Sequence, residues 1–225
     1  MFRSFVARAA TAAAVSVASV AASSSSAQAQ DRLLFLGQVN VTAQNAGTQL
    51  FLDFINSANS PFVGFGSTGA FAGLTTFTPG TIQDVAVSTT GLVGGPVANF
   101  VRFGAYTFTL TSTPIAPPAT FNFGPISLDN TANGSVATFS VNGTVTGGAF
   151  GTANRTFTGS FTAPFTGENA ATVAASLANG SRLVNFSADF LVAPLAVVPE
   201  PSTYALMASG VAMLGLLAYR RRSQA

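Results

Sequence analysis

The chain is 225 residues long, 48% hydrophobic and only 7% charged, with 22 Gly and 21 Phe and with no Cys, His or Trp. Nine arginines stand against seven acids, a formal net charge of +2. That length suits one domain of ordinary size. The composition excludes thiolate and imidazole metal centres, disulfides, and nucleophiles activated by His or Lys.

The first segment carries only Arg3 and Arg8 as charges, then an apolar run over 9–22, a serine cluster over 23–26, and Ala27-Gln28-Ala29. Basic, apolar and small-x-small stretches in that order predict a signal peptide over residues 1–29, cut after Ala29, with Ala27 and Ala29 as the small residues at the cleavage site.

Residues 30–196 are then the exported body. Arg32, Arg102, Arg155 and Arg182 face Asp31, Asp53, Asp84, Asp129, Glu168 and Asp189; four minus six is a body charge of −2. The basic balance of the whole chain therefore belongs to its ends, and the body offers nucleic acid no cationic surface. Alternating apolar and polar residues predict strands over 33–42, 48–55, 81–88, 97–103, 105–112, 121–128, 135–141, 155–162 and 182–192. The fifth is the clearest: Tyr106, Phe108 and Leu110 share one face, Thr107, Thr109 and Thr111 the other. Gly94-Gly95-Pro96, Asn133-Gly134, Asn142-Gly143 and Gly147-Gly148 read as turns. The stretch from Asn59-Ser60-Pro61 to Gly73 reads as a mobile connection. One Ala-rich helix is predicted over 168–178, with Glu168 in its first turn and Asn179-Gly180 as its stop. The expectation is an all-β fold: an antiparallel β-sandwich or barrel of about nine strands, with one short helix covering an open end or edge.

Residues 197–225 change character. Pro199-Glu200-Pro201 precedes an apolar run over 204–219, and Arg220, Arg221 and Arg222 follow. A helix over that run is about 24 Å long at 1.5 Å per residue, slightly short for a hydrocarbon core of ~30 Å. It predicts a transmembrane helix whose arginine tail, 220–225, stays cytoplasmic and sets the orientation. The prolines keep the preceding segment extended and out of the helix.

This three-part tail resembles the PEP-CTERM sorting signal of exopolysaccharide-producing Gram-negative bacteria, a tail that also goes under the label ice-binding protein C-terminal domain. The resemblance implies recognition at Pro199, Glu200 and Pro201 by exosortase, a membrane-embedded transpeptidase-like protease. It also implies an inner-membrane precursor with a periplasmic body, later delivered to the cell surface or the medium.

For the body, the residues weigh against catalysis. Glycoside cleavage needs two carboxyl groups roughly 5–10 Å apart, and no spacing pairs any of Asp53, Asp84, Asp129, Glu168 and Asp189. Asp53 alternates with Leu52 and Phe54 and faces water. Calcium would need more oxygen ligands than the turn from Asp129 to Gly134 supplies, and Gly64-Phe65-Gly66-Ser67-Thr68-Gly69 lacks the lysine of a phosphate loop. Threonine faces suit an ordered lattice of sugar or water, although threonine favours strands in any case. The reading is a non-enzymatic structural protein of the envelope or biofilm matrix, without cofactor or metal. Its alternatives are a secreted exopolysaccharide-binding module and a carboxylate-dependent glycan hydrolase.

Overall fold

The computed structural model describes residues 30–57, 61–178 and 180–194, together with 207, 209–211, 213 and 214 of the tail. The predicted signal peptide with Ala27 and Ala29, the motif Pro199-Glu200-Pro201 and the arginines 220–222 lie outside the described residues. So does most of the predicted span over 204–219. Its described residues are helical and exposed, and among the described residues no helix is long and apolar enough to cross a membrane.

In the body the alternation becomes thirteen strands: β1 (Asp31–Gln44), β2 (Gln49–Phe54), β3 (Phe62–Val63), β4 (Gly80–Ile82), β5 (Val85–Ser88), β6 (Gly91–Leu92), β7 (Val97–Phe103), β8 (Tyr106–Ser112), β9 (Phe121–Phe123), β10 (Ile126–Thr131), β11 (Gly134–Gly147), β12 (Arg155–Thr166) and β13 (Ser181–Val192). One helix, α1 (Ala170–Ala178), lies between β12 and β13. All strands belong to a single sheet in the order β4-β7-β8-β11-β12-β13-β1-β2-β5-β6. The β9–β10 hairpin hangs from β11, and β3 lies beside β1. Every pairing is antiparallel.

The sheet curls into a half-barrel, in place of the two facing layers of a sandwich. The two residues Gln83-Asp84 carry the chain from β4, at one end of the order, to β5, next to the other end. β3 stitches across the curl: Val63 N–H donates to Thr78 O, Gly80 N–H donates to Pro61 O, and Phe62 bridges Pro79. Hydrogen bonding thus continues from β1 through β3 to β4 and β7.

The concave side is filled mainly by phenylalanine. Phe161 meets the rings of Phe35, Phe54, Phe100, Phe139, Phe186 and Phe190 at centroid distances of 5.3 to 6.1 Å. Phe157 stacks on Phe190 at 4.7 Å. Most of these pairs are tilted or edge-on, as the ring quadrupole prefers. Burial of such rings, each worth about 1.5–3 kcal/mol, drives the curl.

Four expectations are corrected. The strand predicted over 81–88 is broken at Gln83-Asp84, where Asp84 Oδ1 accepts the Phe54 N–H at 2.8 Å. The strand predicted over 121–128 folds back on itself at Gly124-Pro125, and Phe123 pairs with Ile126. Gly124 takes φ 56, a left-handed conformation that alternation does not reveal. Asn142-Gly143 is no turn: β11 runs straight through it, with a register shift against β8. A Cβ on Gly143 would sit 2.0 Å from Thr109 O and 2.6 Å from the Phe157 ring, so the glycine there permits close approach. The connection from 61 to 73 is ordered: it contains β3 and a 3-10 turn over Gly69–Phe71 that buries Phe71 completely. Its main chain is tied to β1 by Thr68 N–H donating to Arg32 O and by Ala70 N–H donating to Asp31 Oδ1.

Candidate functional site

Two surfaces of the body have chemistry of their own. The first is an apolar cleft of ≈ 80 Å³ between the end of the half-barrel, the β9–β10 hairpin and α1. Its floor is Phe54, Phe139, Phe161 and Phe186; its cover is Val173, Ala174 and Leu177 of α1 and Phe121 and Phe123 of the hairpin. The sequence foresaw a helix covering an open end but left the cleft unseen, because its walls come from β1, β2 and the strands from β9 to β13 together.

Polar groups outside the cleft hold α1 in place. Asn169 is the N-cap: its Oδ1 accepts the Thr172 N–H at 2.9 Å. Asn130 Oδ1, reaching over from β10, accepts the Ala170 N–H at 2.7 Å. Two of the helix's orphan donors are thereby satisfied. The helix starts at Ala170, two residues later than predicted, so Glu168 precedes it instead of standing in its first turn, and it pairs with Arg182 of β13. Arg182 donates through both terminal nitrogens to the two carboxylate oxygens and to Ser176 Oγ at 2.9 Å, and its guanidinium lies over the Phe165 ring at 5.0 Å. Hydrogen bonds from Arg182 hold the Glu168 carboxyl below its ordinary range, and the same bonds raise the Arg182 guanidinium.

The second surface is the convex face of the sheet. Register alone assembles it. Thr107 of β8 lies opposite Thr146 of β11. Thr144 lies between Thr109 and Thr156. Asn142 pairs with Thr158, and Ser140 with Ser160. Thr162 lies between Thr138 and Ser187. Behind these hydroxyls point Phe108, Phe139, Val145, Phe157 and Phe161, all buried. The threonine face predicted for β8 alone is thus one column of a field that extends over β11 and β12. Charge enters this field at its margins: exposed Arg102 of β7 lies opposite Thr107, and beside Ser160 stands the Arg32–Asp189 pair, with Nε to Oδ1 at 2.8 Å and Nη2 to Oδ2 at 2.6 Å. That double hydrogen bond raises the Arg32 guanidinium.

An aromatic cluster stands on the loop beside β3. Phe77 lies 5.4 Å from Phe62 and 6.0 Å from Phe65, and Phe65 and Phe77 are 77% and 64% exposed. Phe77 takes φ 68, a rare conformation for a bulky residue.

Four of the carboxylates considered from sequence accept hydrogen bonds from other parts of the fold. Glu168 and Asp189 are held by arginines, Asp84 accepts the Phe54 N–H, and Asp129 accepts the Thr120 N–H at 3.1 Å. Asp53 lies opposite Asn40 on the outward face of β2, half-exposed as expected. In the oxygen-rich turn from Asp129 to Gly134, the Asn130 side chain is committed to α1. Among the described residues no group of three or more acids could hold a metal ion.

Residues 197–222 match the family model of the PEP-CTERM protein-sorting motif. No curated protein and no solved structure matches the chain.

Proposed function

We propose that this chain, an exosortase-sorted extracellular protein by its PEP-CTERM motif over 197–222, is a non-enzymatic structural component of the cell envelope or biofilm matrix. In this reading the signal peptide over 1–29 starts export. The apolar span over 204–219 halts the chain in the inner membrane, and Arg220, Arg221 and Arg222 keep its end in the cytoplasm. Pro199-Glu200-Pro201 is then presented to the protease at the periplasmic surface. Cutting there releases the body to the surface or the medium. The match over 197–222 carries this route. The structural role draws its support from the uncharged hydroxyl field and from carboxylates engaged in holding the fold.

The test is intact mass and C-terminal peptide mapping in membrane and medium fractions of the producing cell. A shortened chain ending near Pro199–Pro201 is expected. It disappears when exosortase is deleted or when Pro199 and Pro201 are replaced by alanine. A full-length chain still carrying Arg222, in cells with active exosortase, refutes the route.

A second reading, an exopolysaccharide-binding module, gains from the exposed rings of Phe65 and Phe77. Aromatic faces stack on the apolar faces of sugar rings, and the hydroxyls of Thr75 and Thr78 lie in the same turn, 3.0 Å apart. Retention on a gel cast with the host's own polysaccharide, lost in Phe77→Ser, would favour it. Glycan hydrolysis gains nothing from the carboxylates as they are engaged.

A further inference from the structure

We propose that the apolar cleft beneath α1 is a binding site for an unbranched alkyl chain. Protein interiors are close-packed, and voids larger than a water molecule are few. Here ≈ 80 Å³ is left open next to the packed rings of Phe161 and Phe186. The lining is formed by apolar residues throughout, from Val39 and Leu52 on one side to Val173 and Leu177 on the other. Water held in a cavity needs two to four polar partners, which this lining does not offer. The part of any ligand inside it carries no polar atoms.

Size narrows the class. The volume is about half that of the ~150 Å³ apolar cavity known to take benzene. That volume leaves room for a few methylenes of a chain and little for a ring with its substituents. The cleft is also open on one side. Phe121 is 44% exposed, and Phe123, Ile126, Ala174 and Leu177 are half-buried around the same mouth. A longer molecule can therefore leave its remainder in solvent. Beside that mouth, Ser176 and Arg182 lie between cleft-lining neighbours: Ser176 between Ala174 and Leu177, and Arg182 stacked on Phe165 and two residues from Val184. The alkyl chain could belong to a fatty acid, whose carboxylate would share Arg182 with Glu168, or to an uncharged amphiphile.

The experiment titrates octanoate and octanol into the processed protein recovered from producing cells and stripped of lipid, and follows heat of binding and melting temperature. Saturable binding and a raised melting temperature are expected. Ala174→Phe on α1 and, as a milder plug, Ala137→Val on β11 fill the cleft and should weaken both probes at least tenfold without lowering the melting temperature of the free protein by the same route. Tighter binding of octanoate than octanol, with both lost on plugging, identifies the fatty acid; equal affinities identify the uncharged amphiphile. The proposal is overturned if neither probe binds saturably to the wild type. It is also overturned if both plugged variants, folded by their melting curves, bind as the wild type does. Octanoate binding that survives both plugs and vanishes in Arg182→Gln would overturn it too, by placing the ligand on a surface cation.

Discussion

Phe161→Ala tests whether the ring cluster is one close-packed core. Phe161 is 5% exposed, and its neighbours Phe35, Phe54, Phe186 and Phe190 are each held by further rings. They cannot move in to fill the space it leaves. Phenylalanine-to-alanine changes in cores cost about 3–5 kcal/mol, and the cost rises with the void that remains, by about 24 cal/mol per Å³. The new void would open into the existing cleft of ≈ 80 Å³, so relaxation is poor and the loss belongs at the upper end, about 5 kcal/mol. Against a typical total of ~5–15 kcal/mol, that leaves the body marginal. The assay is urea unfolding followed by tyrosine emission. Tyr106 is the body's sole tyrosine, there is no tryptophan, and its ring is buried against Phe71 at 4.8 Å. Phe121→Ala, at the exposed rim, is the control and should cost under ~1 kcal/mol. A loss below ~2 kcal/mol for Phe161→Ala, with unchanged denaturant slope, would refute the reasoning.

Gly143→Ala should destabilise the body by about 1–3 kcal/mol or more, because the added Cβ overlaps Thr109 O and the Phe157 ring; a neutral effect in the same urea assay would contradict the close approach. Asn169→Ala should cost about 1 kcal/mol by removing the N-cap of α1, and should raise amide exchange at Thr172 above that of the sheet. Acid should weaken the body through Glu168. Its carboxyl is held below the ordinary 4.5 by Arg182 in the folded state, so the unfolded chain takes up the proton first. The stabilisation is present above the ordinary value and is lost as pH falls through the folded one. Glu168→Gln should therefore be less stable at neutral pH and show a shallower acid decline; an unchanged pH profile would sink the assignment.

Much of the fold was legible because burial on one face of a strand imposes a two-residue period on the sequence. β7, β8, β13 and the start of β12 lie within a residue of where alternation puts them, and α1 ends where its alanines do. Its breaks were less legible. At Gln83-Asp84 and Gly124-Pro125 the two-residue rhythm only slips by one, from Ile82 to Val85 and from Phe123 to Ile126, and a slip that small does not by itself mark the end of a strand. β3 and β6 are too short to have a period at all. Asn142-Gly143 carries the composition of a turn, yet its glycine answers a demand for space from Thr109 and Phe157, which are distant in sequence. The sorting tail was readable for a different reason: its signal is linear, and order and spacing along the chain are what a membrane and a protease detect. The cleft and the hydroxyl field are properties of register, and register across β8, β11 and β12 becomes visible only once the strands are paired.

The convex face has a consequence for how the released body meets its surroundings. Its net charge of −2 comes from four arginines and six acids, and two of those arginines are already neutralised by Asp189 and Glu168. Ionic strength acts on a protein surface by shortening the reach of its charges, to about 10 Å at 0.1 M salt. Outside those two ion pairs the body carries only six charges, so there is little reach to shorten. The body should adsorb, self-associate and contact neutral polymers with much the same strength in dilute and concentrated brine, and its adhesion should follow the hydration of hydroxyls rather than the screening of ions.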